Sequence, residues 1–258
     1  MIGRYVVRFA ALGYVTVLLA LPVGYVFYRT FRHGFWPAWH AVTTPDAVHA
    51  LKVTLILAGI AVPANTIFGV LAALAIVRYR FPGAGVFNAV VDLPLALSPV
   101  VVGLALLVLY GRGGWLGGHH VVFALPGMVL ATMFVSLPFV VREVVPVLRE
   151  IGTEQEQAAA TLGAGAWQTF RRVTWPAIRW ATLYGVVLTT ARALGEFGAV
   201  SVVSGRLAGQ TESLTLYVQD RYQSFDNTGA YAAAVLLALL ALATLLLMTR
   251  LKPNEGVQ

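Results

Sequence analysis

Long apolar runs separated by short polar intervals dominate the chain. Six of them, at about residues 9–28, 53–77, 86–110, 121–141, 181–204 and 229–249, approach the ~20 residues that carry an α-helix across a bilayer. The pattern predicts an all-α integral membrane protein of six spans forming one transmembrane domain over residues 1–258, because no interval leaves room for a soluble domain. Run 9–28 follows Arg4 and Arg8 as a signal peptide would, yet it is long and lacks a small-x-small cleavage site, so it is expected to remain as an anchor. Pro63 with Asn65, Pro94 with Pro99, Pro126 and Pro138 fall in or near the apolar runs. A carbonyl freed by proline inside a membrane must find a neighbour or face water, so each marks a packing kink or a point on a pathway.

The longest polar interval, residues 150–176, reads EIGTEQEQAAATLGAGAWQTFRRVTWP. Thr153 ahead of Glu154 and Glu156 predicts a capped helix start with acids in the first turn, where the helix dipole favours them. Ala158, Ala159 and Ala160 follow, small enough to let another surface come close. Gly163 and Gly165 interrupt the helix, and residues 167–173 form a second one that is expected to stop before Pro176. Helix, bend and helix make a ledge suited to a partner's cleft; the alternative is a plain loop with incidental helix.

Composition agrees with the pattern. Hydrophobic residues make up 59% of the 258 and charged residues 11%, with a mean hydropathy of +0.77. Cysteine is absent, which excludes disulfides and thiolate metal sites. The net charge of +7 is scattered between spans and forms no stripe for nucleic acid. Eleven Lys and Arg residues fall on the side of residues 150–176 and six on the other, which predicts that both termini and that ledge are cytoplasmic.

Inside the spans, Arg192 and Glu196 stand four residues apart, on one face of a predicted helix. An ionisable group costs ~2.5 kcal/mol or more at the bilayer centre, so it normally faces a partner or an aqueous cavity. Two readings stand: an anion path or gate built around Arg192, or a structural pair that fixes helix packing. Asp92, close to Pro94, Ser98 and Pro99, joins them as a candidate for the translocation path.

Gln157, Ala158, Ala159 and Gly163, followed by Val173, Trp175 and Pro176, resemble the coupling motif of ABC importer permeases. Gln157 stands where that motif has Glu, with Glu156 beside it, and Val173 with Trp175 replaces Ile and Leu. The resemblance extends to DLPLALSPVVVG, LPFVVREVVPVLREIGTEQEQAAATLG and RALGEFGAVSVVSGRLAGQTESLTLYVQDRYQ, which are similar to sulfate/thiosulfate importer permeases of the CysW type. Thr215 stands where the resemblance leads one to expect proline. The resemblance implies a type I permease architecture in the inner membrane, with Glu156, Gln157, Ala158, Ala159, Gly163, Val173 and Pro176 coupling it to an ATPase. It also implies three partners: a homologous second permease, a dimer of ATP-binding subunits that holds ATP and Mg, and an extracytoplasmic sulfate-binding protein. The chain has no phosphate-binding glycine loop, so no cofactor is expected in it and hydrolysis falls to the partner.

The Glu-Phe-Gly-Ala run after Arg192 is shared with molybdate and tungstate permeases, which keeps those anions as the alternative cargo. An intramembrane enzyme would need paired carboxylates or a nucleophile with its base, and the spans offer only Asp92, Arg192 and Glu196. A proton-driven transporter could use Arg192 and Glu196 but leaves the ledge without a purpose. His33, His40, His49, His119 and His120 read as loop histidines.

Overall fold

The computed structural model describes residues 2–117 and 120–251, so His119 and Lys252 lie outside the described part. Every regular element within it is helical. The chain begins with α1 (Ile2–Val15) and α2 (Leu21–Phe31), joined through a π-turn at Thr16–Ala20 into one rod with Pro22 just beyond the turn. Short α3 (Phe35–Val42) packs chiefly on the last long helix of the described chain, its exposed Phe35 stacked on Trp39. Next, α4 (Pro45–Arg78) crosses in 34 residues, starting where Thr44 Oγ1 accepts the Ala47 N–H at 3.3 Å.

Pro63 does not break α4. Two residues on, the buried Asn65 amide donates to Met133 O at 2.8 Å and Ser136 Oγ at 2.9 Å. Those partners lie on α7 (Leu125–Ser136), so a polar side chain inside the bundle ties two helices and leaves no unmet donor.

The third predicted span is not one rod. It divides into α5 (Ala84–Ala96) and α6 (Pro99–Tyr110), bent by 111° at Leu97 and Ser98. Both break residues have extended backbone, as a residue preceding proline favours, and Pro99 has no N–H to continue a helix. Run 121–141 proves to begin later and reach further: α7 continues into α8 (Pro138–Ile151), one apolar stretch at Leu125–Ile151. After the ledge, with α9 (Glu154–Thr161) and α10 (Ala166–Thr169), comes α11 (Trp175–Leu194).

The fifth predicted span, 181–204, is also broken, because α11 ends at Leu194 and only the short α12 (Val200–Val203) follows. An irregular segment leads to α13 (Leu214–Gln223), and α14 (Asn227–Leu251) completes the described chain. Among the described residues, four helices are long and apolar enough to cross a membrane: Val6–Phe31, Pro45–Arg78, Leu125–Ile151 and Asn227–Leu247. Counting α5 with α6 makes five, against six predicted. The helix that falls short is α11, which carries Arg179 and Arg192 and packs on α4, α8 and α14. A helix enclosed by protein needs less apolar surface than one facing lipid.

The core has two main parts. Val53, Leu57, Met128, Val135, Val200 and Val203 fill the half containing α12, and Val70, Val91, Val140, Val144, Leu148 and Ile178 fill the half toward the ledge. Val140 is gripped from both sides, since a Cβ on Gly69 of α4 would stand 2.6 Å from its Cβ and one on Gly185 of α11 would stand 2.7 Å from its Cα. Small residues at such points let helix backbones approach closely, the usual device of membrane bundles.

Candidate coupling ledge and intramembrane break

The ledge opens at Gly152, whose φ of +67° ends α8 and turns the chain. Thr153 does not cap α9 with its side chain; its hydroxyl accepts from Gln157 Nε2 at 3.1 Å instead. The end of α9 is capped by backbone: Gly163 N–H donates to Ala160 O and Ala164 N–H to Ala159 O, each at 3.0 Å, with Gly163 at a φ of +84°. This is the paired carbonyl capture that a left-handed glycine permits. The interruption predicted at Gly163 is therefore a built helix stop.

The second predicted helix does not stop before Pro176. From Ala166 the chain runs through α10 and a π-turn at Phe170–Thr174 into α11, with Pro176 at the second position of α11. Pro22 stands in the same relation to the π-turn at Thr16–Ala20. A wider turn just ahead of proline lets the helix pass a residue that contributes no N–H.

The motif residues divide by direction. Gln157, Ala158, Gly163 and Pro176 are exposed, Ala159 and Val173 are half-buried, and Leu162 stands out at 88% exposure beside exposed Trp167. Glu156 turns inward. Its Oε1 accepts from Arg78 Nε at 3.2 Å and Thr174 Oγ1 at 2.9 Å, and its Oε2 lies 3.0 Å from Arg78 Nε. Arg78, at the last position of α4, also donates to Leu148 O at 3.0 Å and Gly152 O at 2.7 Å. Sequence alone reads Arg78 as a topology charge; nothing in its surroundings announces a partner 78 positions on.

The second candidate set does not assemble as one group. Glu196 lies beyond the end of α11, past Gly195, so it and Arg192 do not share a helical face. They pair across the helix end, Arg192 Nη1 to Glu196 Oε2 at 2.6 Å, with Glu196 3% and the Arg192 side chain 31% exposed. Glu196 Oε1 accepts the Ala199 N–H and its backbone carbonyl accepts from Thr215 Oγ1, both at 2.8 Å. The hydroxyl at Thr215 thus ties α13 to the break, which a proline there could not do.

Ser98 belongs beside this break. A Cβ on Gly198 would lie 2.8 Å from Pro99 Cβ, and one on Gly103 would lie 2.7 Å from Ala199 O. The irregular stretch after α11 therefore lies against the first turns of α6, beside the break at Leu97 and Ser98, and unwound backbone at such a place is the arrangement that can line a pathway. Asp92 is engaged elsewhere, by an ion pair with Arg142 of α8, whose Nη2 also reaches Asn88 Oδ1 at 3.5 Å. Arg142, like Arg78, is a topology charge in sequence that the fold turns into a tie.

At the end opposite the ledge, His49 Nε2 meets Gln210 O at 3.3 Å, and Leu214 N–H donates to Thr54 Oγ1 at 2.8 Å. Between these ties Glu212 is 5% exposed. Burial raises its carboxyl from 4.5 to about 7, helped by the charges of Asp220 and Asp46 and opposed by Arg221 and His49.

A helical membrane chain with broken intramembrane segments and a capped external helix belongs among transport permeases. The chain is a member of the family of binding-protein-dependent transport system inner membrane components, which matches residues 65–255. It is 48% identical to the sulfate transport system permease protein CysW of Synechocystis sp. over 98% of this chain and 94% of that one. To the sulfate transport system permease protein CysT of Escherichia coli K12 it is 40% identical, over 95% and 91% of the two chains. A bacterial ABC transporter involved in import of the polysaccharide alginate has a chain of the same fold, with a TM-score of 0.81 at 19% identity over 98% of this chain and 96% of that one.

Proposed function

We propose that this chain is a membrane-spanning permease subunit of an ATP-driven sulfate importer. The observation that carries the cargo is the near-full-length likeness to a sulfate permease, at 48% identity. The exposed α9, held on the bundle by one inward carboxylate, supports the drive. In this reading Gln157, Ala158, Ala159, Gly163, Val173 and Pro176 form the seat for an ATPase subunit, which binds ATP and Mg. A second permease completes the pore, and an extracytoplasmic binding protein delivers the anion; likeness to both CysW and CysT supports two different permeases side by side. The ledge and both termini face the cytoplasm in this reading, which the excess of Lys and Arg on that side supports.

Arg192, Glu196 and Ser98 act at the meeting of the two breaks as a gate. Arg192 is already neutralised by Glu196, so the pair offers little net attraction for a dianion. It shapes the path and leaves the anion weakly held, which release requires. Asp92 with Arg142 fastens α5 to α8.

The test is uptake of labelled sulfate by cells that lack their own sulfate importer and express this chain with its candidate partners. ATP-dependent uptake that resists a modest excess of molybdate supports the proposal. Uptake abolished by trace molybdate reassigns the cargo, and uptake without an ATPase overturns the mechanism. A reporter placed after Lys252 should be found in the cytoplasm.

A further inference from the structure

A helix pushed from outside moves a membrane bundle only if something stiff connects them. At its second half the ledge runs through the π-turn into α11, with Phe170 against the core, but the charged side chains in and beside it give α9 no such hold: Arg149, Glu150, Glu154, Arg171, Arg172 and Arg179 are exposed, and none forms an ion pair among the described residues. Glu156 differs. Its two carboxylate oxygens take Arg78 from the end of α4 and Thr174 from the π-turn that leads into α11. From Nη1 and Nη2 Arg78 also donates to the carbonyls of Leu148 and Gly152, the last turn of α8 and the bend after it. One guanidinium and one carboxylate thus join four pieces of chain, and both are largely shielded, at 11% and 22% exposure.

Exposed ion pairs contribute little and shift easily. This pair is enclosed and hydrogen-bonded on both sides, so separating it strands two charges. Its anchor points are helix ends, which transmit displacement along their axes. Gln157, the next residue, faces solvent, so a push on the outer face of α9 is carried inward one residue away.

We infer that Arg78, Glu156 and Thr174 form a latch that makes α9 move as one body with the ends of α4, α8 and α11, and that Glu156 is a positioning residue and not a contact for the ATPase. This assigns Glu156 a role different from its motif neighbours. It rests on the coupling function proposed above for the exposed face of α9.

Two measurements on the assembled importer decide it. The first uses the absence of cysteine: spin labels at Tyr79→Cys and Gln155→Cys, both exposed, report the distance between the end of α4 and α9. The unaltered latch should give one narrow distribution, and Glu156→Ala a broadened one. A distribution unchanged by Glu156→Ala refutes the latch whatever the complex carries. The second is sulfate moved per ATP hydrolysed in proteoliposomes. Glu156→Ala should lower that ratio about tenfold with the ATPase still bound, and Thr174→Val, which loses one hydrogen bond, about threefold. Arg78→Lys, which keeps the charge without the fork, should fall between. Release of the ATPase by Glu156→Ala makes Glu156 a docking contact and overturns the inference, as does a loss of yield with the ratio intact. A failure of the unsubstituted complex to take up sulfate with ATP defeats the proposed function, while the distance measurement still decides the latch.

Discussion

Replacing Gly185 by alanine probes the packing of the bundle where α11 comes up against the backbone of α8. The added Cβ would stand 2.7 Å from Val140 Cα, whereas carbon atoms rest at about 3.5–4.0 Å. Because the obstacle is backbone, no rotamer change relieves it, and α8 and α11 must separate by about 1 Å. Overpacking of this kind costs about 2–3 kcal/mol, from which about 1 kcal/mol is recovered because alanine is the better helix former. Gly59, in α4, has no atom within 4 Å of its would-be Cβ, so Gly59→Ala keeps the gain of about 1 kcal/mol. On the scale of soluble chains of this length, about 2–4 °C per kcal/mol, Gly185→Ala should lower the melting temperature of the purified complex by about 2–8 °C and Gly59→Ala should raise it. Equal shifts for the two would refute the packing argument. Val140→Gly provides a cross-check: it removes the Cβ and Cγ1 that would crowd Gly69→Ala at 2.6 and 2.8 Å, and leaves in place the Cα that crowds Gly185→Ala. A double-mutant cycle should therefore show coupling above about 0.5 kcal/mol for the Gly69 pair and little for the Gly185 pair.

The folded state holds the Glu212 proton up to about 7 against 4.5 for the free side chain, so it binds more protons through that window and loses stability as pH rises across it. Glu212→Gln should raise the melting temperature at about pH 8 and leave it nearly unaltered at about pH 4, below both values; an equal gain at both would contradict the cause given. Arg192→Ala strands a buried carboxylate and should cost about 3–5 kcal/mol. Glu196→Gln keeps an acceptor for the Ala199 N–H and leaves Arg192 able to reach water, so it should be milder; the reverse order, read as yield of inserted chain, would refute the assigned burial. Gly163→Ala places a Cβ in left-handed backbone that has open space around it, a strain of about 1–2 kcal/mol that should fray α9 and weaken ATPase retention on the complex, with Gly163→Asn less affected.

How much of this was legible in sequence depended on whether the signal was local. The helix at Ala158–Ala160 and its stop at Gly163 were, because capping chemistry lies within a few residues. Pro99 announced a break but not the 111° bend, and nothing near it said that residues 195–199 would lie against it. The spacing of Arg192 and Glu196 suggested a shared helix, yet Gly195 ended α11 first and the pair formed all the same. Pro176 misled in the opposite way, since a π-turn carried the helix past it. Partners far apart in the chain were not legible at all: Arg78 with Glu156, Arg142 with Asp92, and Val140 with two glycines depend on which helices become neighbours.

The leading helix, Val6–Phe31, buries none of its membrane-crossing stretch within this chain. The long helix that α2 packs on is α14, made much later in synthesis, where Arg29 reaches Tyr231. From the moment Phe31 emerges until Asn227 follows, lipid is therefore the leading helix's principal company, and its own greasiness must keep it in place. That places a demand on biosynthesis: substitutions that make residues 6–25 less oily should show themselves as failed insertion during translation, before any loss of transport by the finished protein.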